Sequence, residues 1–425
     1  MLLKRFARPR NLLVVPICVL CLSISVSCRD DRQQGAGGST GPVLSASSPR
    51  GKRAVEFATA GNRLGVELYR ELGKTQRGNI AVAPSSISLA LAMTWTGALG
   101  KTRDQMSRTL HLRGTGREVA TSARGLLSWL DAVNGESMTL RLASGLFVQQ
   151  DYELESAFLE VTEQFGAPVV SVPFEKAPGR ARKTINLRVA EQTRQHIREI
   201  LPERSLNERT RLVLTNAVYF LGYWVSPFGK SSPHDFHTSA EATKNVPMMY
   251  RASDFPYAAA DGVQVLELPY KGNELSMLVV LPVEKQGLSK LEETLTVARV
   301  KVWAKGLKKT RVEVILPKFK LHSTTELKQS LIALGMTLAF DPFKADFGGM
   351  STSGKLFLGG AYHQVVVQVD EKGTVAAAAS AAKMQEVSEP PNQIWFVADH
   401  PFLFAIRHRA SGALVFLGRV VDPSS

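Results

Sequence analysis

One stretch decides how this chain is interpreted: Val365-Val-Val-Gln-Val369-Asp-Glu-Lys-Gly-Thr374-Val-Ala-Ala-Ala-Ala-Ser380-Ala-Ala-Lys-Met-Gln385-Glu-Val-Ser-Glu-Pro390-Pro391. An apolar run typical of a strand stops at Asp370. From Thr374 to Ala382 every side chain except that of Val375 is Ala, Thr or Ser. Because such side chains are small, the segment is able to occupy more than one structural environment.

The small-residue segment has two interpretations. Alanine has the highest helix propensity, so a short exposed helix is one of them. As a strand, the segment would place its even-numbered residues on one face. These residues are Thr374, Ala376, Ala378, Ser380, Ala382 and Met384. A face without charge, proline or large ring can enter a packed sheet without burying an unpaired charge.

The first 28 residues have the pattern of an export signal. Four cations precede an apolar core from Leu12 to Leu22, which is shorter than the ~20 residues of a membrane-spanning helix. Ser25-Val-Ser-Cys28 resembles a bacterial lipobox and predicts a lipid anchor at Cys28. Ser25 stands where that pattern has Leu, Val or Ile, so ordinary signal cleavage remains an alternative. We expect an exported protein, either a cell-envelope lipoprotein or an extracellular one.

The rest of the chain divides into a linker and one folded domain. Residues 29–53 are rich in Gly and Ser and predict a flexible tether, and residues 54–425 predict a single domain. A hydrophobic content of 44% with 21% charged residues is typical of a globular protein with a large core. All three cysteines lie in the first 28 residues, so the body of the protein contains no disulfide or cysteine-ligated metal.

The chain is basic, with a formal net charge of +14, which favours anionic surroundings. One cluster of cations comprises Arg180, Arg182, Lys183, Arg188, Arg194 and Arg198. No aromatic residues are interleaved with it, so we interpret it as a solvated face and predict no nucleic-acid partner.

Hydrophobic periodicity predicts helices mainly in the first half and strands mainly in the second. The predicted helices are 54–72, one opening at Pro84, 101–110, 117–133, 156–165, 181–199 and 325–334. The predicted strands are 140–149, 169–173, 212–221, 263–269, 275–281, 312–319, 365–369, 394–397, 402–407 and 414–421. This distribution favours an α+β fold with large antiparallel or mixed sheets.

A series of motifs follows in a fixed order. They are Asn79-Ile-Ala-Val-Ala-Pro84-Ser-Ser86-Ile-Ser88, Gly97-Ala-Leu-Gly100, Leu214-Thr-Asn216-Ala-Val-Tyr-Phe220 with Trp224 and Phe228, Leu316-Pro-Lys318-Phe319, His363, His400-Pro-Phe402 and Leu417-Gly-Arg-Val420. In this order they resemble the motifs of the serpin family, and the resemblance extends from about Arg53 to the C-terminus. It implies a single domain with about nine helices, three β-sheets and an exposed reactive-centre loop.

The resemblance also implies roles for polar residues. Ser86, Asn216 and His363 match the cluster that keeps the central sheet of serpins closed. Ala83 departs from the serine that is usual there, which questions one hydrogen bond of that cluster. Trp224, Lys318 and Glu371 match the site at the top of the sheet where the loop enters, and imply an ion pair between Glu371 and Lys318.

The loop itself matches inhibitory serpins. Gly373 and Thr374 match the hinge, and Ala376 to Ala379, which include Ala378, match the small-residue run that follows it. Val375 replaces the commoner glutamate at a position expected to face away from the sheet. Counting along the family pattern places the reactive bond between Val387 and Ser388. A β-branched aliphatic residue before this bond fits the small apolar pocket of an elastase-like protease.

The resemblance thus implies a monomeric suicide inhibitor that needs no cofactor or metal and whose partner is a serine protease, trapped as a covalent acyl-enzyme. Catalysis is not predicted, because the chain has no Gly-x-Ser-x-Gly, His-Glu-x-x-His or Gly-x-Gly-x-x-Gly motif in a suitable context. Two alternatives remain at this point: a non-inhibitory serpin that acts as a carrier, and a surface binding protein that uses the basic face.

Overall fold

Helix Pro84–Thr96 begins at the predicted proline and is buried from Pro84 to Trp95. It has no polar face, so it can only lie inside the protein. The computed structural model that shows this describes residues 44–374 and 393–424. Predicted positions outside these ranges, among them Cys28, Ala376, Ala378, Val387 and Ser388, therefore lie outside the described residues.

The described residues contain nine α-helices and two single turns of 3₁₀ helix. The α-helices are α1 (Pro49–Gly73), α2 (Pro84–Thr96), α3 (Gly100–Thr109), α4 (Gly116–Ala132), α5 (Ser156–Thr162), α6 (Pro178–Gln192), α7 (Leu288–Glu293), α8 (Val297–Gly306) and α9 (Lys328–Ala333). The 3₁₀ turns are Glu163–Phe165 and Leu338–Phe340.

The strands lie mostly in the second half of the chain, as the sequence predicts. They are β1 (Ile80–Val82), β2 (Met138–Gln149), β3 (Val169–Val172), β4 (Leu212–Tyr223), β5 (Ser232–His237), β6 (Thr243–Ala260), β7 (Val263–Pro269), β8 (Leu275–Pro282), β9 (Lys308–Pro317), β10 (Phe319–Glu326), β11 (Leu358–Val369), β12 (Gly373–Thr374), β13 (Ile394–Val397), β14 (Phe402–His408) and β15 (Leu414–Val420).

Hydrogen bonds group these strands into two sheets, not three. The larger has the order β1-β15-β14-β8-β7-β6-β9-β13, and β5 pairs with β6. The long strand β6 pairs with β5, β9 and β7 along successive parts of its length, and so joins what would otherwise be two sheets into one network.

The second sheet, which we call the central sheet, has the order β10-β11-β4-β2-β3, with β12 paired to β4. Strands β4 and β11, which we call the middle strands, run parallel, whereas β10 is antiparallel to β11 and β2 is antiparallel to β4. At the other edge, β3 is parallel to β2. Helix α2 packs between the inner face of this sheet and β15 of the larger sheet. Helix α6 covers the outer face, where Ala181, Ile185 and Val189 pack against the sheet.

Several predicted boundaries were wrong: β11 starts at Leu358 instead of residue 365, and β9 spans Lys308–Pro317 instead of 312–319. Three further errors have local causes. Helix α1 starts at Pro49 instead of Ala54, because Ser48 caps it by accepting a hydrogen bond from the Gly51 amide, so the folded body begins inside the predicted tether. Helix α6 ends at Gln192 instead of residue 199, because Arg194 and Gln195 adopt φ angles of 51° and 66°, which no α-helix accommodates.

The third error concerns the predicted helix 325–334. Residues Phe319–Glu326 form β10 at the edge of the central sheet, and only Lys328–Ala333 are helical. Three of the four residues His322 to Thr325 are polar and at least partly exposed, so this part of the strand has no apolar run that would predict it. In the part of the chain that the structure describes, no helix has the length and apolar character needed to cross a membrane.

Candidate functional site

Three polar side chains lie side by side across the buried face of the central sheet. Ser144 of β2 is opposite Asn216 of β4, and Asn216 is opposite His363 of β11. We call these three residues the gate row. They are buried among apolar side chains, with His363 fully inaccessible and Asn216 2% exposed. Buried polar groups are tolerated when they are hydrogen-bonded. The hydrogen-bond partners of the gate row therefore decide which elements it connects.

The gate row is a connected network. His363 Nδ1 donates to Asn216 Oδ1 over 2.7 Å, and thereby links β11 to β4 through side chains. Asn216 Nδ2 donates to Ser86 Oγ at 2.6 Å and to Ser144 Oγ at 2.7 Å. Ser86 lies on α2, so the network also fastens both middle strands to the buried helix. Separating β4 from β11 requires breaking the bond between His363 and Asn216.

The histidine of the row is held neutral. Burial lowers the pKa of His363 to about 3, because the ring has no water to stabilise a positive charge. Its second nitrogen, Nε2, accepts a hydrogen bond of 3.1 Å from the backbone amide of Ala83. A ring that donates from Nδ1 and accepts at Nε2 is the neutral Nδ1–H tautomer.

The departure at Ala83 does not leave the histidine unsatisfied. The family pattern has a serine at this position, and alanine lacks its hydroxyl group. The backbone amide of Ala83 donates a hydrogen bond to His363 Nε2 instead. Ser144 is the member that sequence reasoning missed. No motif marks it, and only the register of β2 against β4 reveals it.

The middle strands separate above the gate row. Their last paired residues are Val366 and Tyr219, although β11 continues to Val369 and β4 continues to Tyr223. In the upper part β4 pairs instead with β12, with Gly373 opposite Tyr223 and Thr374 opposite Gly222. Gly373 and Thr374, the predicted hinge residues, therefore lie beside β4 and antiparallel to it.

A tight turn brings the chain from β11 back to β4. The Asp370 amide donates to Gly373 O over 2.8 Å, and Asp370 Oδ1 accepts from the amides of Lys372 (3.0 Å) and Gly373 (3.3 Å). At Gly373 a Cβ atom would collide with the carbonyl oxygen of Gly222 and the backbone of Tyr223. Only glycine permits this close approach of Gly373 to the backbone of β4.

Trp224 anchors the turn from the side. Its amide donates to Lys372 O at 2.8 Å, and its indole Nε1 donates to Asp370 O at 3.1 Å. The indole stacks on Tyr270, with ring centroids 4.4 Å apart, and is 1% exposed. A buried, stacked ring with a satisfied N–H is a rigid support for the turn.

Glu371 adds an ion pair to this support. Its carboxylate lies 3.1 Å from Lys318 Nζ and accepts a hydrogen bond of 3.3 Å from the Ser231 amide. Burial alone would raise the pKa of Glu371, but hydrogen bonds from its own amide, Lys318 and Ser231, together with the charge of Lys318, lower it below the ordinary value. The carboxylate is therefore ionised near neutral pH.

The structure brings the predicted residues together in two groups. Ser86, Asn216 and His363 meet at the gate row, and Trp224, Lys318 and Glu371 meet at the turn before Gly373 and Thr374. Within the described residues, no group of three or more His, Cys, Asp or Glu side chains is arranged to hold a metal ion. The gate row thus connects β4 to β11, and the second group surrounds the turn at the end where these two strands part.

The fold and the site define a mixed α/β protein whose central sheet has a separable pair of parallel strands and a returning chain segment at its upper end. The family model described as "Serpin (serine protease inhibitor)" matches residues 59–423. The chain belongs to the serpin family.

Individual relatives agree with this membership. The leukocyte elastase inhibitor of Bos taurus is 40% identical over 380 residues, which cover 87% of this chain and all of the relative. The corresponding inhibitor of Homo sapiens is 38% identical over the same lengths. The crystal structure of uncleaved ovalbumin superposes with a TM-score of 0.78 at 29% identity and covers 86% of this chain and all of that chain. The family and the two elastase inhibitors support protease inhibition in general.

Proposed function

We propose that this protein inhibits a serine protease of elastase-like specificity, by being cleaved between Val387 and Ser388 and then inserting the cleaved loop into the central sheet. The observation that carries the proposal is the pairing of β12 with β4 above the gate row. The chain segment that leads into the reactive loop already lies beside the strand along which it would insert.

Extending this register predicts the inserted state. Two-residue steps from Thr374 opposite Gly222 place Ala376 opposite Phe220, Ala378 opposite Val218 and Ser380 opposite Asn216. Residues directly opposite in an antiparallel pair share a face of the sheet. Phe220 and Val218 belong to the main core. The small, uncharged even-numbered face of the loop would therefore meet the core, and Ser380 would meet the gate row.

Strand direction supplies a driving force. Strands β4 and β11 are parallel neighbours, and a strand that enters between them as β12 has begun to do would be antiparallel to both. One parallel pairing is thereby replaced by two antiparallel ones, which are slightly more stable per residue. Insertion also adds a full strand of backbone hydrogen bonds. The closed sheet is then a kinetically held state, and the gate row is the latch that delays its opening.

Insertion must follow the first chemical step. The serine Oγ of the protease attacks the carbonyl carbon of Val387, the bond to the Ser388 nitrogen breaks, and that nitrogen leaves with a proton as a new amino terminus. The acyl ester that remains ties the protease to Val387. Loop insertion then carries the protease away before water can hydrolyse the ester.

The length of the loop sets which bond is productive. From Thr374 to Val387 there are fourteen residues. Cleavage after Lys383 by a trypsin-like protease would shorten this span by four residues, or about 13 Å at ~3.3 Å per residue. A protease held short of the far end of the sheet is expected to escape. Trypsin should therefore cut the loop without being trapped.

Incubation with pancreatic elastase tests the proposal. We expect a complex that survives a denaturing gel and a released C-terminal peptide whose mass begins at Ser388. Cleavage at this bond without a complex would contradict inhibition and would favour the non-inhibitory carrier. A peptide that begins at Met384 or Gln385 in a trapped complex would contradict the assignment of Val387.

We also propose that the exported protein is anchored to a membrane through a lipid on Cys28, on the strength of the lipobox resemblance. Cys28→Ser should then move the protein from the membrane fraction to the soluble fraction when membranes are washed with high salt. Equal membrane retention of the variant and the wild type would contradict lipidation at this residue.

A further inference from the structure

Helix α6 ends in a rigid turn over the outer face of the central sheet. Two successive residues of this turn, Arg194 and Gln195, have left-handed φ angles of 51° and 66°. The buried hydroxyl of Thr193 accepts from the Ile197 amide over 3.2 Å, and the His196 amide donates to Thr193 O over 3.1 Å. Left-handed residues other than glycine persist only where such contacts hold them. The turn therefore fixes the backbone at Arg194 and His196.

The turn lies over the point where β4 and β11 part. The ring of His196 stacks on that of Tyr219, with centroids 3.8 Å apart and an angle of 5° between the planes. Tyr219 is the last residue of β4 that pairs with β11, where it is opposite Val366. The stacked rings attach the end of α6 to the β4 side of this boundary, which we call the seam.

A cation approaches the turn from the other side of the seam. Lys320 lies on β10, opposite Gln368 of β11, and is exposed. Burial lowers the pKa of His196, and the charges of Arg194 and Lys320 lower it further. Both cations therefore act on one ring, although they belong to opposite sides of the seam. Among the residues that the structure describes, neither of these cations forms an ion pair with a carboxylate.

Arg194, His196 and Lys320, which we call the clamp residues, are all exposed. Their donors suit an oxyanion, because a guanidinium binds two oxygens at once, an ammonium acts as a point charge and an imidazole N–H donates one hydrogen bond. A phosphate group offers three acceptor oxygens to these three side chains, whereas a carboxylate offers two. Its charge would also remove the repulsion between the two cations.

Loop insertion would separate the clamp residues. The register of β12 against β4, when extended, places Ala377 of the inserted loop opposite Tyr219, below the ring of His196. A new strand moves β10 and β11 away from β4 by one strand spacing, about 4.8 Å. His196 would stay with Tyr219, whereas Lys320 would move with β10. An oxyanion that contacts both sides of the seam therefore fits only the closed sheet.

We propose that the clamp residues bind a phosphate group, which holds the seam closed and thereby slows insertion of the cleaved loop. The inference rests on the proposed function and adds a regulatory site to it. A ligand that binds only one of two states shifts the equilibrium toward that state. Slower insertion leaves water more time to hydrolyse the acyl ester, so more inhibitor molecules would be consumed for each protease.

Unfolding of the full chain tests the site without a protease. The unfolding midpoint is measured in sodium phosphate and in sodium chloride of equal ionic strength, for the uncleaved protein and for protein cleaved after Lys383 by trypsin. Phosphate should raise the midpoint of the uncleaved form and leave that of the cleaved form unchanged. An equal increase for both forms, or no increase for the uncleaved form, would overturn the proposal.

Variants separate the clamp residues from the general basicity of α6. Arg194→Gln and Lys320→Gln should each abolish the response of the midpoint to phosphate. Lys183→Gln is the matched control, since Lys183 is an exposed cation on α6 outside the turn and the change in net charge is the same. This control should respond like the wild type. If it loses the response to the same extent as Lys320→Gln, phosphate acts through the overall charge and the proposed site is wrong.

The role in insertion is tested with the protease that gives the covalent complex. Phosphate should raise severalfold the number of wild-type molecules consumed per protease, and should not change that number for Lys320→Gln. An unchanged number for the wild type would overturn the regulatory role. Absence of a complex in chloride would overturn the proposed function instead, and the unfolding measurements would still decide whether the site exists.

Linear polyphosphate distinguishes a free phosphate ion from a phosphate chain. Arg188 and Arg198 are exposed cations on either side of the turn in the sequence, and they would add contacts to a chain. Action of polyphosphate at a lower concentration of phosphate groups than inorganic phosphate would support a chain as the ligand. Equal action per phosphate group would support the free ion, and failure of both to act would overturn the site.

Discussion

The lower and upper parts of the β4 and β11 pair differ in what holds them. In the lower part the two strands pair directly up to Tyr219 and Val366, and the gate row adds side-chain bonds between them. In the upper part β4 pairs with β12, and the support comes from Trp224 and the ion pair of Glu371. Strand β4 is therefore paired with β11 at its lower end, which we call the closed end. At its upper end, which we call the open end, it is paired with β12.

In the proposed mechanism, the closed end would act as the latch and the open end as the point where insertion starts. The closed end depends on buried, fully satisfied polar groups, whose loss leaves unpaired atoms in the core. The open end depends on a backbone turn and on partly exposed charges, which solvent screens. We therefore expect changes at the closed end to alter stability strongly, and changes at the open end to alter mainly how insertion begins.

The largest effect is expected at the first residue that would insert. Thr374→Arg carries a charge to the position opposite Gly222, which lies beside the buried rings of Phe220 and Tyr270. The variant should be cleaved without trapping the protease, so that at least about ten molecules are consumed per protease inhibited. Titration of protease activity measures this number. Val375→Arg is the matched control and should remain an inhibitor, because alternate residues of a strand face opposite sides.

If Thr374→Arg consumes as few molecules per inhibited protease as the wild type does, insertion from this hinge is contradicted. Loss of inhibition in both variants would instead show that any large cation in the loop impairs function, and would remove the distinction between the two faces.

The next effect concerns the latch. His363→Ala leaves the Ala83 amide and the Asn216 carbonyl oxygen without partners in the core and opens a cavity, which together should lower the free energy of unfolding by roughly 3 kcal/mol. Ser144→Ala should lower it by only about 1 kcal/mol, because Asn216 Nδ2 still donates to Ser86. Urea unfolding measures both. Equal losses for the two variants would show that the gate row does not act through His363.

The protonation of the latch predicts a pH dependence. The pKa of His363 is lowered to about 3 by burial, whereas an unfolded histidine has its ordinary pKa of about 6.5. Between these values the unfolded chain binds a proton that the native protein does not, so stability is lost as the pH falls from about 6.5. The slope approaches ~1.4 kcal/mol per pH unit for one histidine.

His363→Gln separates this contribution from others, because glutamine can keep both hydrogen bonds and does not titrate. Its stability should fall less steeply than that of the wild type between pH 6.5 and 4.5. His408, whose pKa burial lowers to about 4, titrates in the same window, so His408→Gln serves as an independent comparison. An unchanged slope in His363→Gln would contradict a neutral buried histidine.

The smallest effect is expected at the ion pair of the upper end. Lys318 is 36% and Glu371 24% exposed on their side chains, and such pairs contribute about 1 kcal/mol or less. Glu371→Gln keeps the shape of the side chain and should leave the unfolding midpoint almost unchanged. The small difference in midpoint between this variant and the wild type should disappear at high salt. A loss as large as that of His363→Ala would show that the upper end also acts as a latch.

Particular elements show which parts of the fold could be predicted from the sequence. Helix α2 was predicted from a starting proline and an uninterrupted apolar pattern, and both features are local. Strands β7 and β13 have the predicted bounds, and a turn at Asp261 and Gly262 precedes the apolar run of β7. Strands β5 and β6 were missed, since most of their first residues are exposed and polar and give no apolar signal. The end of α6 depends on two left-handed residues that no pattern marks.

The candidate site divides in the same way. The family resemblance named Asn216 and His363, but their separation of 147 residues gives no indication that they touch. Ser144 and the Ala83 amide complete the network and became visible only when the strand register was known.

By itself the sequence determined the small-residue pattern after Gly373 and the periodic pattern of most elements, and it predicted an export signal, because each of these depends on neighbouring residues. The tertiary structure alone decided that β4 and β11 are parallel neighbours, that they part above Tyr219 and that β12 has turned back along β4. These facts depend on which distant segments meet, and pairing between distant strands is set by the packing of the whole domain and not by the propensity of any one segment.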